Sequence, residues 1–324
     1  MGYPTLLDTI GHTPLVRLQY INPNPVATIL VKLEYFNPSA SIKDRMALRM
    51  IEDAEKKGFL KPGSTVIEAT SGNTGASVAM LAAVKGYRAI LVMAENVSIE
   101  KQNTLKAFGA EVILTPEGVP ADSPEYFENV AARLVQQIPN SYQLRQYDNP
   151  MNPEAHYLTT GPEIWEQSGG KVDYFIAAGS TGGTISGVGK YLKEKNPNVK
   201  IVMPDPMGSV FYPYFKTHKV PKDAKWGEYL EGIGQNHLPK AIDFRVIDDV
   251  VQVTDKNAFA TARMMAQKEG ILAGGSSGAN VWAAIEIAKT VQSPSIIVTV
   301  LPDSGLKYLS KMYDDRWMKK HKLI

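Results

Sequence analysis

The 324-residue chain contains no cysteine. That excludes disulfides, a thiolate nucleophile and every metal site built on cysteine. Histidine is scarce as well: five residues, with no pair spaced H-x-x-x-H, so no metal centre is expected. A charge excess is also missing. Thirty-five Lys and Arg against 33 Asp and Glu leave a net charge of +2, too little for a footprint on nucleic acid or a membrane surface. No uninterrupted apolar run approaches the ~20 residues that span a bilayer. The N-terminus, MGYPTLLDTIGHTPLVRL, lacks the basic stretch and apolar core of a secretory signal. Two nucleotide signatures are missing too: no G-x-x-x-x-G-K-[ST] occurs, and no G-x-G-x-x-G follows a predicted strand. These absences leave a cytoplasmic enzyme or binding protein as the default, long enough for two domains with their own cores.

What is present is a rhythm. Strands are predicted at 27–34, 64–69, 87–94 and 110–116, separated by helices at 43–58, 74–86 and 98–109. A helix at 123–138 follows, with Ser123 as N-cap and Pro124 in its first turn. The rhythm restarts after a loop at 139–152. PEAHYLTTGPEIWEQ predicts a helix broken at Gly161-Pro162, and strands at 172–178 and 199–205 flank a further helix. Residues 206–243 show little periodicity; FRVIDDVVQV, two helices, PSIIVTVLP and a last helix complete the chain. Alternation of this kind implies parallel sheets with helices on both faces. Two such halves are expected to meet in a ligand-holding cleft.

Three Gly/Ser/Thr turns each precede an apolar helix: EATSGNTGASVAMLAA, AAGSTGGTISGVG and LAGGSSGANVWAAIEIA. Free N–H groups at helix starts, flanked by hydroxyls, are ready anion sites. Any one of them is equally compatible with plain connection chemistry. A fourth stretch, NPSASIKDR (37–45), predicts an extended turn at Asn37-Pro38, Ser41 as N-cap and Asp44 as its capping-box partner. Lys43 then falls in the first helical turn, where a cation is disfavoured by roughly 0.3–1 kcal/mol. It is either an exposed lysine that tolerates this cost or one whose neutral amine is wanted as a nucleophile. Two anion cradles and a Schiff-base lysine suit a substrate carboxylate and pyridoxal phosphate (PLP), which carries both an aldehyde and a phosphate.

With these motifs assembled, the sequence resembles the PLP-dependent cysteine synthase / cystathionine β-synthase family over nearly its whole length. The resemblance implies a tryptophan synthase β-like fold (PLP fold type II): two parallel-sheet-based α/β domains with the cofactor in the cleft between them. Residues 40–147 would form a smaller, mobile domain with the substrate loop, and 1–39 with 148–324 the larger PLP-binding domain. It makes Lys43 the Schiff-base residue and the base that removes the α-proton. Thr70, Ser71, Gly72, Asn73 and Thr74 would hold the substrate α-carboxylate with Gln146 and Tyr147, and Asn73 would also bond the cofactor's phenolic oxygen. Gly179, Ser180, Thr181, Gly182, Gly183 and Thr184 resemble the phosphate loop. Ser276 would face the pyridine nitrogen, with Pro302 and Asp303 beside the ring. A hydroxyl at that nitrogen favours prompt β-elimination to an aminoacrylate, followed by addition of a thiol. Glu231, before Gly232 in YLEGIG, is either a solvated surface carboxylate at a turn or, on the chemistry of thiol addition, faces the incoming thiol with Gly232 and accepts its proton or holds the amino group of homocysteine. A homodimer is implied, with no metal.

Two departures from the family pattern stand out: Ser180 replaces the first glycine of G-T-G-G-T, and Pro204 replaces a small β-branched residue. The motifs DPMGS, YLEGIG and ARMMAQKEGILAGGSSG resemble the cystathionine β-synthase branch, which joins L-serine or O-acetylserine to L-homocysteine. HYLTTGPEIW is shared with O-acetylserine sulfhydrylases, the cysteine synthases that use sulfide. The chain is expected to be a catalytic core without haem-binding or regulatory extensions. Related dehydratases show S-F-K-x-R-G where this chain has SIKDR. An inactive scaffold on the same fold or a racemase would be separated from a synthase by colour and by thiol dependence.

Overall fold

The computed structural model describes residues 4–70, 72–95, 97–120, 122–221, 224 and 229–324. Its strands are β1 (Leu15–Arg17), β2 (Ala27–Leu33), β3 (Thr65–Ala69), β4 (Arg88–Ala94), β5 (Glu111–Thr115), β6 (Ser141–Gln143), β7 (Tyr174–Ile176), β8 (Lys200–Pro206), β9 (Asp249–Val253) and β10 (Ser295–Leu301). The helices of the first half are α1 (Lys43–Lys56), α2 (Asn73–Lys85), α3 (Ile99–Ala107) and α4 (Phe127–Gln137). Those of the second are α5 (Met151–Ala155), α6 (Gly161–Gln167), α7 (Gly183–Lys195), α8 (Phe211–Thr217), α9 (Asp255–Glu269), α10 (Gly275–Thr290) and α11 (Asp315–Lys320). The chain divides into two compact units: one runs up to Ile10 and takes in Asn37–Met151, the other joins Gly11–Phe36 to Asn152–Ile324.

The first unit holds a four-stranded sheet in the order β5-β4-β3-β6, every pair parallel. Its core is built from Ile67, Ile90, Val92, Val130 and Ala131. Helix α2 is buried from Thr74 to Ala82, and its small residues let it pack on α1, α3 and the sheet at once. The second unit holds a six-stranded sheet in the order β1-β2-β10-β7-β8-β9, parallel except at β1. Its strand β10 is buried continuously from Ile297 to Leu301, as expected when helices cover both faces. Lys32 is fully buried on β2 and satisfied by Glu163 (2.7 Å), the Thr13 carbonyl (2.5 Å) and Gln167 Oε1 (2.9 Å).

Several local expectations need correction. Helix α4 starts at Phe127 with Tyr126, not Ser123, as N-cap. The Ser123 hydroxyl instead accepts the Glu125 N–H in a tight turn, a local bond that competes with helix. No break occurs at Gly161-Pro162. A π turn over His156–Thr160 joins α5 to α6, with the Gly161 N–H bonded back to the His156 carbonyl. Placing the wide turn just before Pro162 accommodates its missing N–H without a kink. FRVIDDVVQV is a 3-10 turn at Phe244–Val246 followed by a shorter strand, because Asp243 caps the turn through the Arg245 N–H. The stretch 206–243 contains α8, and the loop after residue 138 contains β6. Pro204 sits inside β8 where only β9 is its neighbour, since the β7 ladder ends at Val202.

Candidate active site

In the first unit Lys43 is the first residue of α1 and is half-buried. Ser41 is not its N-cap. Ile42 holds that position, and the Ser41 hydroxyl accepts the Lys43 N–H at 3.3 Å. Asp44 turns away from any capping box. Its buried carboxylate accepts the Ser39 N–H (2.7 Å), the Ser39 hydroxyl and the Ser77 hydroxyl (2.6 Å) from α2. The residue beside Lys43 thus fastens the 37–41 turn to α2 and fixes where the lysine starts.

The same unit carries the predicted carboxylate loop. Ser71 lies outside the described residues. Buried Thr70 accepts the N–H groups of Gly72 (3.2 Å) and Gly75 (3.1 Å), so its side chain shapes the turn before α2. Asn73 and Thr74 open the helix, where N–H groups favour an anion. The Thr74 hydroxyl donates to Gln146 Oε1 at 2.7 Å, and Gln146 Nε2 donates to the Ala69 carbonyl at 3.3 Å. Two predicted site residues 72 positions apart in sequence are therefore in contact. Tyr147 follows, half-buried. The aliphatic end of Lys101 in α3 lies 3.5 Å from where a Cβ on Gly72 would stand.

In the second unit Gly179–Thr184 form the turn into α7. Gly182 has φ +81°, and a Cβ there would meet the Ile242 Cβ at 2.3 Å. A Cβ on Gly183 would stand 1.9 Å from Asn152 Oδ1. These glycines are sterically required. The Thr181 hydroxyl accepts from Asn152 Nδ2 (2.9 Å), and Thr184 Oγ1 lies 3.3 Å from His156 Nε2 in the π turn. Ser180 does not have positive φ, so its Cβ adds no backbone strain. Its hydroxyl accepts from Gln235 Nε2 at 3.3 Å, and the Gly234 N–H bonds the Gly179 carbonyl at 2.7 Å.

Also in this unit, Ser276 is the second residue of α10 and is buried. Asp303 is buried next to it in the fold: its carbonyl accepts the Gly274 N–H at 3.0 Å and its carboxylate accepts the Tyr308 hydroxyl at 2.7 Å. Burial, with Asp303 and Glu231 nearby, pushes the Tyr308 phenol well above its ordinary range, which keeps it a hydrogen-bond donor. Half-buried Pro302 precedes Asp303 at the end of β10. Glu231 Oε1 is 2.5 Å from Lys311 Nζ. The pair lines a small cavity with Tyr229, Phe259, Gly275 and Tyr308. Gly232 and Gly234 both have positive φ (81° and 78°), the sharp bends that lead the chain from Glu231 to the Gly179 turn.

This arrangement agrees with what comparison with known proteins finds. Residues 6–303 match the family model described as pyridoxal-phosphate dependent enzyme. The chain belongs to that family. The chain is 47% identical over 317 residues to the cystathionine beta-synthase of Oryctolagus cuniculus, covering 97% of this chain and 57% of the relative. It thus spans little more than half the length of that relative. It is 45% identical to a probable cysteine synthase of Bacillus subtilis (strain 168), covering 94% of this chain and 95% of the relative. Among solved structures, an O-ureido-L-serine synthase superposes with a TM-score of 0.89 at 36% identity, covering 98% of this chain and all of the other. The family is therefore the PLP-dependent cysteine synthase / cystathionine β-synthase family, on the two-unit α/β fold of PLP fold type II, and pyridoxal phosphate is its cofactor.

The residues present fit that group. The turn has no room for a Cβ at Gly182 or Gly183, and the Thr181 and Thr184 hydroxyls with the first N–H groups of α7 are donors of the kind a phosphate takes. Sequence reading missed Glu68, Asn152, His156 and Lys311. His156 had a visible signal, lying inside PEAHYLTTGPEIWEQ, which Asn152 directly precedes. Glu68 and Lys311 had none, because their partners are distant in sequence. Among the described residues no group of three or more His, Asp or Glu is placed to hold a metal, and no helix is long and apolar enough to cross a membrane.

Proposed function

We propose that the chain catalyses β-replacement, joining L-serine or O-acetylserine to L-homocysteine to give cystathionine. Bound pyridoxal phosphate supplies an aldehyde for amines and a ring that draws electrons from the α-carbon. Lys43 anchors the cofactor and then, released by the substrate amine, takes the α-proton on its Nζ. Thr70, Gly72, Asn73 and Thr74, with Gln146 and Tyr147, hold the α-carboxylate; Ser71 belongs to the same proposal. Gly179–Thr184 hold the phosphate. Ser276 gives the ring nitrogen a neutral hydroxyl, while Pro302 and Asp303 border the ring.

The observation that carries the choice of nucleophile is the Glu231–Lys311 pair on the cavity that Gly275 borders. An amino-acid thiol brings an ammonium and a carboxylate, the two charges this pair complements. Sulfide brings neither. Glu231 also suits the proton of a thiol, whose ordinary pKa near 8.5 leaves it mostly protonated at neutral pH. Gly232 gives Glu231 the backbone freedom to turn toward it. Cysteine synthase is the second reading, favoured by the near-complete match to the Bacillus subtilis relative.

The test crosses serine and O-acetylserine with homocysteine and sulfide and identifies the products. Cystathionine formed faster than cysteine supports the proposal, and the reverse establishes the second reading. Glu231→Gln should slow the homocysteine half-reaction about tenfold and the sulfide half-reaction less than about twofold, in line with loss of one charged hydrogen bond. Equal small losses would return Glu231 to a surface role. A homodimer in the cytoplasm is also proposed on the family resemblance, and sedimentation would check its size.

A further inference from the structure

Glu68 has no role in the reaction as proposed above, yet it is almost fully buried, with 1% exposure, at the end of β3. Its two oxygens accept different backbone donors. Oε2 takes the Arg145 N–H at 2.9 Å and Oε1 the Gln146 N–H at 3.1 Å. Arg145 is held in the left-handed region at φ 57°, where a side chain with a Cβ is strained by roughly 1–3 kcal/mol. That bend makes Gln146 the next residue to point inward: Gln146 is buried and joined to Thr74 at 2.7 Å, while Arg145 and Asp148 are exposed. The parallel pairing of β3 with β6 explains the fit. Ile67 is opposite Gln143, so Glu68 is level with the residues at which β6 ends and the turn begins. A buried carboxyl that holds a strained turn through two N–H groups has a specific structural task.

We infer that Glu68 is a positioning residue for the substrate α-carboxylate, acting through the 144–146 turn that aims Gln146 at Thr74. The inference rests on the reading of Gln146 as a carboxylate donor. It touches neither substrate nor cofactor itself. Burial, with Glu128 of α4 facing it, raises the Glu68 carboxyl from 4.5 to about 7, so a neutral replacement of the same shape suits the site. Glu68→Gln should therefore fold, while meeting one of the two N–H groups with an amide N–H in place of an oxygen.

The experiment titrates holoenzyme with L-serine and, separately, with L-serine methyl ester, whose carboxylate is blocked, following the cofactor absorbance. Four proteins are compared: wild type, Gln146→Ala, Glu68→Gln and the double variant. Gln146→Ala and Glu68→Gln are each expected to weaken L-serine about tenfold, the scale of one hydrogen bond to a charged group. The double variant should be no weaker than Gln146→Ala alone, since both act through one residue. Binding of the ester, and the cofactor spectrum without substrate, should not change. If Glu68→Gln binds L-serine like wild type while Gln146→Ala is weakened, the inference fails and the reading of Gln146 stands. If Gln146→Ala binds like wild type, that reading fails and takes the inference with it. Equal losses for L-serine and its ester in Glu68→Gln would also overturn the inference, because they mark general disorder. Glu68→Asp, which keeps the charge but draws it back by one methylene, provides a second variant with the same expected split.

Discussion

The two turns proposed to hold anions are built on opposite plans. The turn into α7 is a backbone device: Gly182 and Gly183 are pressed against Ile242 and Asn152 so closely that no side chain fits. The turn into α2 is a side-chain device: Thr70 holds the N–H groups of Gly72 and Gly75, Thr74 bonds Gln146, and the Gln146 N–H is held in turn by Glu68. A cradle of crowded backbone has one shape. A lattice of hydroxyls and amides keeps its donors adjustable, each bond contributing only about 0.5–1.5 kcal/mol net. The first suits a group that stays, such as a cofactor phosphate. The second suits one that must arrive and leave, such as a substrate carboxylate.

The largest expected effect comes from the proposed Schiff-base lysine. Lys43→Ala should fold and lose turnover by about 10³-fold or more, the scale for loss of a covalent catalyst. Borohydride reduction of wild type followed by peptide mapping should label Lys43. A label on any other lysine would sink the assignment. Next comes the backbone cradle itself. Gly183→Ala should weaken cofactor binding by about 100-fold, because overpacking against Asn152 costs about 1–3 kcal/mol or more. Equilibrium reconstitution of apoenzyme measures it. Gly72→Ala is the matching change in the other turn. Its Cβ would meet only the flexible end of Lys101, at 3.5 Å, so cofactor affinity should move less than about threefold. Similar losses from both would erase the contrast.

A pH experiment sharpens the side-chain plan. Glu68 has its carboxyl raised from 4.5 to about 7. Between those values the folded chain holds a proton that the unfolded chain has released, so stability falls as pH rises. The contribution is full below about pH 4.5 and lost as pH passes about 7. Glu68→Gln should flatten that decline in urea unfolding midpoints, and an unchanged slope would mean that Glu68 titrates normally. The smallest effect is expected for Ser180→Gly, which restores the family's usual loop. Losing only the Gln235 contact, it should shift cofactor affinity by less than about threefold. A large loss would show that this chain uses its serine where relatives use backbone.

Much of this was legible in the sequence, because it is local. The β-α-β rhythm, the start of α1 at Lys43 and the three Gly/Ser/Thr turns before α2, α7 and α10 all follow from periodicity and turn chemistry within a few residues. Where local reading failed, the competing bond was also short-range but of another kind. Ser123 and Ser41 spend their hydroxyls on the N–H two residues ahead; α4 then starts later than a cap at Ser123 predicts, and Ile42 takes the N-cap position of α1 in place of Ser41. The π turn at His156–Thr160 has no periodicity of its own to betray it.

The sequence by itself determined the fold class, the start of α1 at Lys43 and the glycine turns, since these depend on the period of apolar residues and on conformations only certain residues adopt. Tertiary structure alone decided the supports. Glu68 meets residues 77 and 78 positions away only because β3 and β6 pair in one register, and Glu231 meets Lys311 across 80 positions. Asp44 looked like a helix cap and became the anchor between a loop and α2 because folding brought Ser77 to it. A side chain's nearest neighbour in sequence is set by covalent geometry. Its partner in a buried polar network is set by strand register and helix packing, which no short window of residues contains.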